Sequence, residues 1–532
     1  MRKIVVALAI ICLCAVCWGA DWLTEGGDPG RTGWQKNETI LNPQNVKGIK
    51  LLWKTHLDST PREMHNLFPP VIADRVDTAN GPRQIAVVAG VSDDLFGIDV
   101  SEGEQVWHVH FDSDYTPPTT GRGGQGGTLC PGGQLAVPVI VSGEVPGKYT
   151  VYTVSWDGRL REINLADGKD IAPPQKFMPP NTKPWAMNYF DGVLYTSISQ
   201  GCGGVPFSFF SYDLATRKAS AFLPSGGGLW GRRGVAIAPD GTVYIGTGDG
   251  PYNPEAKNLG DSIVAVKLDA NKQLQLAGYY APPDANWMWH RDLDINVTPM
   301  VFDYKGHHFL VDSSKQCRLW LLDRDNFGGS DHQTALYRSP LICNDDQQYD
   351  AKGVWGALAT WQDSSDTQWV IVPFWGPVSR DFHAPIENGT RPEEGGVAAF
   401  KLEQKGDNWT LAPAWLSQDM DMAEEAIVAN GVVYTYGSGE DTHQQRPERA
   451  YNEPGGPPMP TAPGPGGSAT RIANSTHATL YALDAKTGKT LWSSGDQITS
   501  WNHSSGISVA NGRVYIDTYD GNLYCFGIAR QQ

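Results

Sequence analysis

Along this chain, short runs in which apolar and β-branched residues alternate with polar ones are separated by Gly, Asp-Gly, Asn-Gly and Thr-Gly steps. That period of two, punctuated by turn residues, predicts strands joined by hairpins. The pattern is most open near the C-terminus, where Asn430 begins NGVVYTYGSGED, Ala478 begins ATLYALDAKTGKTLW and Asn511 begins NGRVYIDTYDGNLYCFGI. Each copy gives a Gly turn, a β-branched and aromatic strand, a second strand ending in Ala-Leu-Asp or its equivalent, and a Thr-Gly turn before a Trp strand. The unit is therefore a four-stranded antiparallel sheet.

The same template recurs from Gln84, from Tyr149, from Asp191, from Asp240 with Asp261, from His307, and from Thr367 with Gly395, making eight units with the two C-terminal ones. The last unit lacks its outer Trp strand, whereas NVKGIKLLWKTHLD from Asn45 is such a strand without a sheet. Pairing the two removes an open edge and closes a ring. The expected fold is all-β, an eight-bladed β-propeller closed by an N-terminal strand, with residues 20–532 as one domain. Trp53, Trp107 and Trp492 are expected to dock each outer strand onto the next blade.

The first residues, MRKIVVALAIICLCAVCWGA, place two basic residues before a short apolar run and small residues, the pattern of a secretory signal over residues 1–19. The mature chain is then exported, periplasmic or secreted, and no later stretch is apolar and long enough to insert in a membrane. With 42 basic against 58 acidic residues the net charge is -16, and it becomes -18 when Arg2 and Lys3 leave with the signal. On that ground nucleic acid and anionic membrane surfaces are poor partners, and no nucleic-acid partner is expected. Five cysteines remain beyond the signal, an odd number that permits two bridges and one thiol. Cys130 with Cys202 is expected to bridge blades two and three, Cys317 with Cys343 is the second pair, and Cys525 is the leftover buried thiol.

Counting strands A to D outward from the axis, three units carry long insertions between B and C: 250–260, 377–395 and, in blade seven, the Pro- and Gly-rich 443–476. Loops on that side share one face with the loops entering strand A, so function is expected there. Trp230 opens an A strand, Asp249 ends a B strand, Asp292 and Asp294 precede an A strand, and Lys315 ends a B strand. Drawn from blades three to five, they are expected to converge near the axis. An aromatic face, several carboxylates and one lysine suit a flat, polyanionic, redox-active ring held with a divalent metal. Each residue also has a plainer role open to it: Asp249 in an Asp-Gly turn, Trp230 in blade packing, Asp292 with Lys315 as a structural ion pair.

At these residues the chain resembles the pyrroloquinoline quinone (PQQ) dehydrogenase superfamily, including its N-terminal DWLTEGGDPGRTGW. The resemblance implies that Trp230 and Gly231 lie under the quinone, that Asp249 takes the place of a metal-binding Asn, and that Asp294 matches a second metal-binding acid. It further implies that Asp292 is the catalytic base and that Lys315 contacts the quinone and shares in catalysis, with calcium or a lanthanide as the metal. Cys130 lies where the family's ring of two adjacent cysteines begins, and Cys202 falls near the place of a metal-binding Glu that SISQGCGGVPF lacks. No haem-attachment C-x-x-C-H occurs, so electrons would pass to a separate acceptor. Two functions follow: a quinoprotein oxidoreductase acting on an alcohol or sugar hydroxyl, or a non-catalytic propeller binding protein or carbohydrate, as outer-membrane assembly scaffolds of similar architecture do.

Overall fold

The strands form a ring of eight antiparallel sheets, four of them the expected minimum of four strands and the rest carrying a short extra strand. This is a computed structural model, and it describes residues 19–113, 115, 130–133, 136–200, 202, 206–224, 226–443, 468–503 and 505–529. The expected signal up to residue 18 and the insertion core at 444–467 lie outside those residues. Blades one to seven occupy 71–110, 139–176, 183–222, 228–280, 300–338, 359–416 and 423–493, and blade eight is built from 507–527 plus Lys50–His56. The closing strand runs antiparallel to Asn522–Gly527, with Lys50 opposite Gly527 and His56 opposite Asn522.

Each blade is buried on both faces, and strand periodicity divides its side chains between the two neighbours. In blade four, Tyr244, Ile263 and Ala265 pack with Ile295, Val301 and Leu310 of the blade-five side. Their alternates Val243, Ile245, Val264 and Val266 pack with Val193, Tyr195 and Phe209 of blade three. This two-sided burial makes the inner strands read as nearly continuous apolar runs, and a shift of one residue would exchange every contact. The outer strands dock as expected: the indole Nε1 of Trp53 donates to Val100 O at 3.0 Å and that of Trp107 to Leu165 O at 2.8 Å. Trp492 packs on Phe526 of the next blade with ring centroids 5.5 Å apart. Trp415, which the repeat search did not single out, makes the same bond to Ala485 O at 2.9 Å. Under Trp107 the Thr-Gly-type turn must be glycine, because a Cβ on Gly168 (φ 70°) would sit 2.8 Å from the indole.

A second closure lies inside the ring. Residues 20–35 travel round the channel and bond to every blade in order. Trp22 bridges Ile72, Ile140 N donates to Leu23 O, and the Thr24 hydroxyl donates to Met187 O. Ile237 N then donates to Pro29 O, Val301 N to Gly30 O, Thr360 N to Thr32 O and Val428 N to Gly33 O, and the Gln35 amide reaches Val509 O at 2.9 Å. These partners sit on the innermost strands, while the residues of interest precede those strands, so the collar forms a floor beneath the elaborated face. Arg233 is pinned there between Glu25 and Glu425 and donates to Leu358 O and Ala426 O. Burial beside Glu425 holds the Glu25 carboxyl well above the usual carboxylate range.

Candidate active site

Blades four and five, rather than three to five, supply the residues expected to converge. Strand Gly228–Trp230 brings the indole to the axis, where its Nε1 donates to Asp249 Oδ2 at 3.2 Å. Asp249 follows strand Val243–Gly248 in the left-handed region (φ 61°), which aspartate tolerates better than most residues. The short helix Ala285–His290 ends with Leu293 N donating to Met288 O, and the next turn delivers Asp292, also left-handed (φ 55°), and Asp294. Two non-glycine residues held in that region side by side are the kind of local strain that surrounding structure maintains at functional sites.

Lys315 answers them from the end of strand His307–Ser313, its Nζ 3.1 Å from Asp292 Oδ1 and 2.5 Å from Asp294 Oδ2. The backbone N–H of Asp249 donates to Asp294 Oδ1 at 2.8 Å. Burial pushes the Asp294 carboxyl up, but Lys315 and these hydrogen bonds together hold it below the usual carboxylate range. Asp249, Asp292 and Asp294 each offer an oxygen, and the three oxygens lie within 4.8 Å of one another. Such a set of hard oxygen donors fits calcium or a lanthanide and no soft metal.

The Lys315 turn is braced by the Cys317–Cys343 disulfide and by Asn344, whose amide donates to Lys315 O at 2.8 Å. Cys130 and Cys202 are also joined, tying the entry of blade two to blade three two residues beyond Gln200, the strand partner of Lys183. Cys525 is the buried free thiol, and burial raises it to about 12.

Sequence reasoning missed the opposite wall. Lys183 Nζ lies 3.2 Å from His65 Nε2, the His65 ring meets His503 edge-on at 4.7 Å, and His503 Nδ1 is 2.8 Å from Glu440 Oε2. Arg471 also pairs with Glu440, and Arg232 with Glu424. Burial, with the Arg232 charge nearby, lowers Lys183 to about 7. Burial and Lys183 likewise hold the His65 imidazole well below its ordinary range. Two buried nitrogens here, His65 Nδ1 and Trp185 Nε1, have no hydrogen-bond partner among the described residues. Buried donors left over beside Lys183 and Arg232 suit an acceptor-rich, anionic ligand.

Two aromatic pairs join the walls. Trp185 lies 6.5 Å from Trp230 and 5.3 Å from Lys183 Nζ. Trp355 and Trp375 stack at 4.9 Å, with Lys315 Nζ 4.6 Å from the first and Arg232 5.7 Å from the second. The signal that would have found these residues is positional: His65, Lys183, Arg232 and His503 all stand at the entry of an innermost strand, as Asp292 and Asp294 do.

Comparison with known proteins bears on the fold. The chain is 25% identical over 349 residues to a quinohemoprotein alcohol dehydrogenase of Comamonas testosteroni, a match covering 58% of this chain and 45% of the relative. The propeller is similar to those of quinoprotein alcohol dehydrogenases. A second relative, quinohemoprotein alcohol dehydrogenase ADH IIB of Pseudomonas putida, is 24% identical over 355 residues, covering 58% of this chain and 46% of the relative. The matched region thus spans less than half the length of these curated relatives. Residues 476–530 match a repeat family described as outer membrane protein assembly factor BamB. The solved structure of the Comamonas enzyme superposes with a TM-score of 0.57 at 16% identity, covering 96% of this chain and 82% of that one. A europium-containing methanol dehydrogenase gives 0.57 at 14% identity, covering 96% of this chain and 98% of that one. At such identities the superpositions speak for the quinoprotein-like fold and not for the chemistry. Among the described residues no helix is long and apolar enough to cross a membrane.

Proposed function

We propose that this chain is an exported quinoprotein oxidoreductase that oxidises an alcohol or sugar hydroxyl, using PQQ with calcium or a lanthanide. The observation that carries the reading is the union, on one axis, of three carboxylates within 4.8 Å, a shared lysine and a partly buried indole hydrogen-bonded to the first carboxylate. Trp230 and Gly231 would bear the flat face of the ring, and Lys183 and Arg232 would meet its carboxylates. Asp249 and Asp294 would hold the metal, and the Cys130–Cys202 bridge would wall the rim beside Lys183. When bound, the quinone supplies a two-electron acceptor for the hydride leaving the substrate carbon, and the metal a Lewis acid.

The chain's own part is proton handling and orientation. Asp292 accepts the hydroxyl proton, and Lys315 at 3.1 Å holds that carboxylate in orientation. Lys315 is shared with Asp294 at 2.5 Å, so it stays in place when Asp292 takes up a proton. The same ammonium is a fixed positive charge at which negative charge developing during hydride transfer is stabilised. Electrons would leave to a separate acceptor.

A second reading, a non-catalytic propeller that binds protein or carbohydrate, is favoured by the match of residues 476–530 to the assembly-factor family and by the absence of a Glu from SISQGCGGVPF. Titrating metal-free protein with PQQ, with and without calcium or a lanthanide, separates the two. Oxidoreductase function predicts a saturable change in quinone absorbance and dye reduction on adding alcohols or sugars, and no quinone binding under any metal condition removes it. Trp230→Ala is expected to weaken PQQ affinity about tenfold or more before it alters the chemical step, through loss of the stacking face.

A further inference from the structure

Residue 20, where the mature chain is expected to begin, sits in a built corner far from the axial site in its chemistry. Ala20 is buried, and its backbone N–H donates to Asn511 Oδ1 at 2.6 Å. Asn511 stands in the hairpin turn between Ile507–Ala510 and Arg513–Asp517 of blade eight, and its amide donates to Asp74 Oδ1 at 2.8 Å. Asp74 belongs to strand Val71–Thr78 of blade one. Residue 20 therefore lies on the seam where the first and last blades meet.

The local backbone aims an acid at that point. Strand Val71–Thr78 slips register between Ala73 and Val76, and such a bulge re-aims the side chains within it. The Asp74 carboxylate is turned so that a Cβ on Gly19 would strike it, and the Asp74 N–H donates to Asp21 Oδ1 at 2.5 Å. Burial, with the Asp74 charge nearby, pushes the Asp21 carboxyl up to about 6. The other charged groups lining this cleft are Glu38, Arg75, Arg83, Asp99 and Arg513. Arg83 is held by Asp99 at 2.7 Å, and Glu38 accepts from the backbone N–H groups of Ile40, Leu41 and Gly512. The Gln35 amide fixes the carbonyls of Ala20 and Asp21, so residue 20 keeps its place whatever precedes it.

Within an unbroken chain the Ala20 nitrogen carries one hydrogen, and Asn511 takes it. Hydrolysis of the Gly19–Ala20 peptide bond by a signal peptidase adds one water, giving a Gly19 carboxylate that leaves with the leader and an Ala20 amine that takes up a proton. The resulting ammonium has two further hydrogens to offer the carboxylate that Gly19 had touched. We infer that Asp74 and Asn511 form a receptacle for the α-ammonium of the processed chain, so that removal of the leader locks blade one to blade eight. This rests on the export reading given above. An α-amine ordinarily titrates at about 8, and a neighbouring carboxylate raises that value in the folded state. The stabilisation is then complete below about pH 8 and is lost as pH rises through the raised value.

The test compares the full mature chain beginning at Ala20 with one in which Met and Gly19 precede it and restore the peptide group. The chain beginning at Ala20 is expected to melt about 2 °C or more above the extended one near neutral pH, with the gap closing by about pH 10. Asp74→Asn is expected to erase the gap, and Asp74→Ser serves if the Asn variant does not fold. Without any substitution, acetic anhydride should acylate the Ala20 amine with a half-maximal pH about one unit or more above that of the same chain in urea. Equal melting, a gap that survives pH 10 or loss of Asp74, or equal acylation midpoints overturns the receptacle and leaves the quinoprotein reading standing. N-terminal sequencing of protein exported with its own leader is expected to begin at Ala20. Another first residue overturns the receptacle alone, and a chain that keeps residues 1–19 overturns the export reading with it.

Discussion

The two walls of the axial site solve opposite problems with the same backbone positions. On blades four and five, clustered carboxylates share one lysine; on blades one, three, four, seven and eight, Lys183, Arg232, Arg471 and two histidines share Glu424 and Glu440. Neither wall is balanced within itself, and in a closed blade ring the strand entries facing the axis are where ionisable residues can sit without disturbing the interblade cores. On the function proposed above, the acidic wall would meet the metal and the basic wall the negative end of a metal-bound polycarboxylate.

Breaking the acidic wall should have the largest effects. Asp292→Asn keeps volume and leaves Lys315 paired with Asp294, so melting temperature and PQQ affinity should hold while turnover falls by about two to four orders of magnitude. Turnover at the parent rate would end the role of Asp292 as base. Lys315→Met leaves Asp249, Asp292 and Asp294 facing each other without their cation, and should cost the metal-free protein about 3–5 kcal/mol in denaturant unfolding. Calcium or a lanthanide should restore much of that loss, and an unchanged midpoint without metal would show the pair to be energetically idle.

At the rim of the basic wall the effect should be smaller. Replacing both Cys130 and Cys202 by Ser opens a link across 72 residues and should lower stability by about 2–4 kcal/mol, with the midpoint of urea unfolding as the measure.

The smallest effect sharpens the comparison through pH. Lys183 is lowered in the folded state from 10.5 to about 7, so between those values the unfolded chain binds more protons and parent stability rises with pH. Lys183→Met should lack that rise, and its melting advantage at pH 7 should shrink toward pH 10. Asp294 is held below its ordinary 3.8, so its contribution is complete above that pH and is lost as pH falls through its folded value. A Lys183→Met protein that follows the parent from pH 7 to 10 would show the amine to be charged and well paired.

The fold was legible because every blade repeats one problem, packing alternate residues of the same strand against two neighbours, and the turns between strands have few sequence solutions. Asp249, Asp292, Asp294, Lys315 and Trp230 were legible through resemblance and because they come from adjacent blades. Asp261 was in view as the start of a strand, but an Asp beside a Gly looks like any hairpin turn. His65, Lys183 and His503 were illegible since they meet across the axis from blades one, three and eight, with 118 residues between the first two. Residues 20–35 carried a family-like string, yet nothing in it indicates that it visits eight sheets in order.

That inner collar bears on when the molecule becomes itself. Gln35 and Lys50–His56 reach their partners only after blade eight exists: Gln35 waits for Val509, and Trp53 for Cys525. Contacts this distant in sequence are slow to form, because loop-closure entropy is spent before any of their stabilisation is gained. The end of the collar and the closing strand must therefore wait while the later blades assemble, and their docking on blade eight is the step that commits the ring.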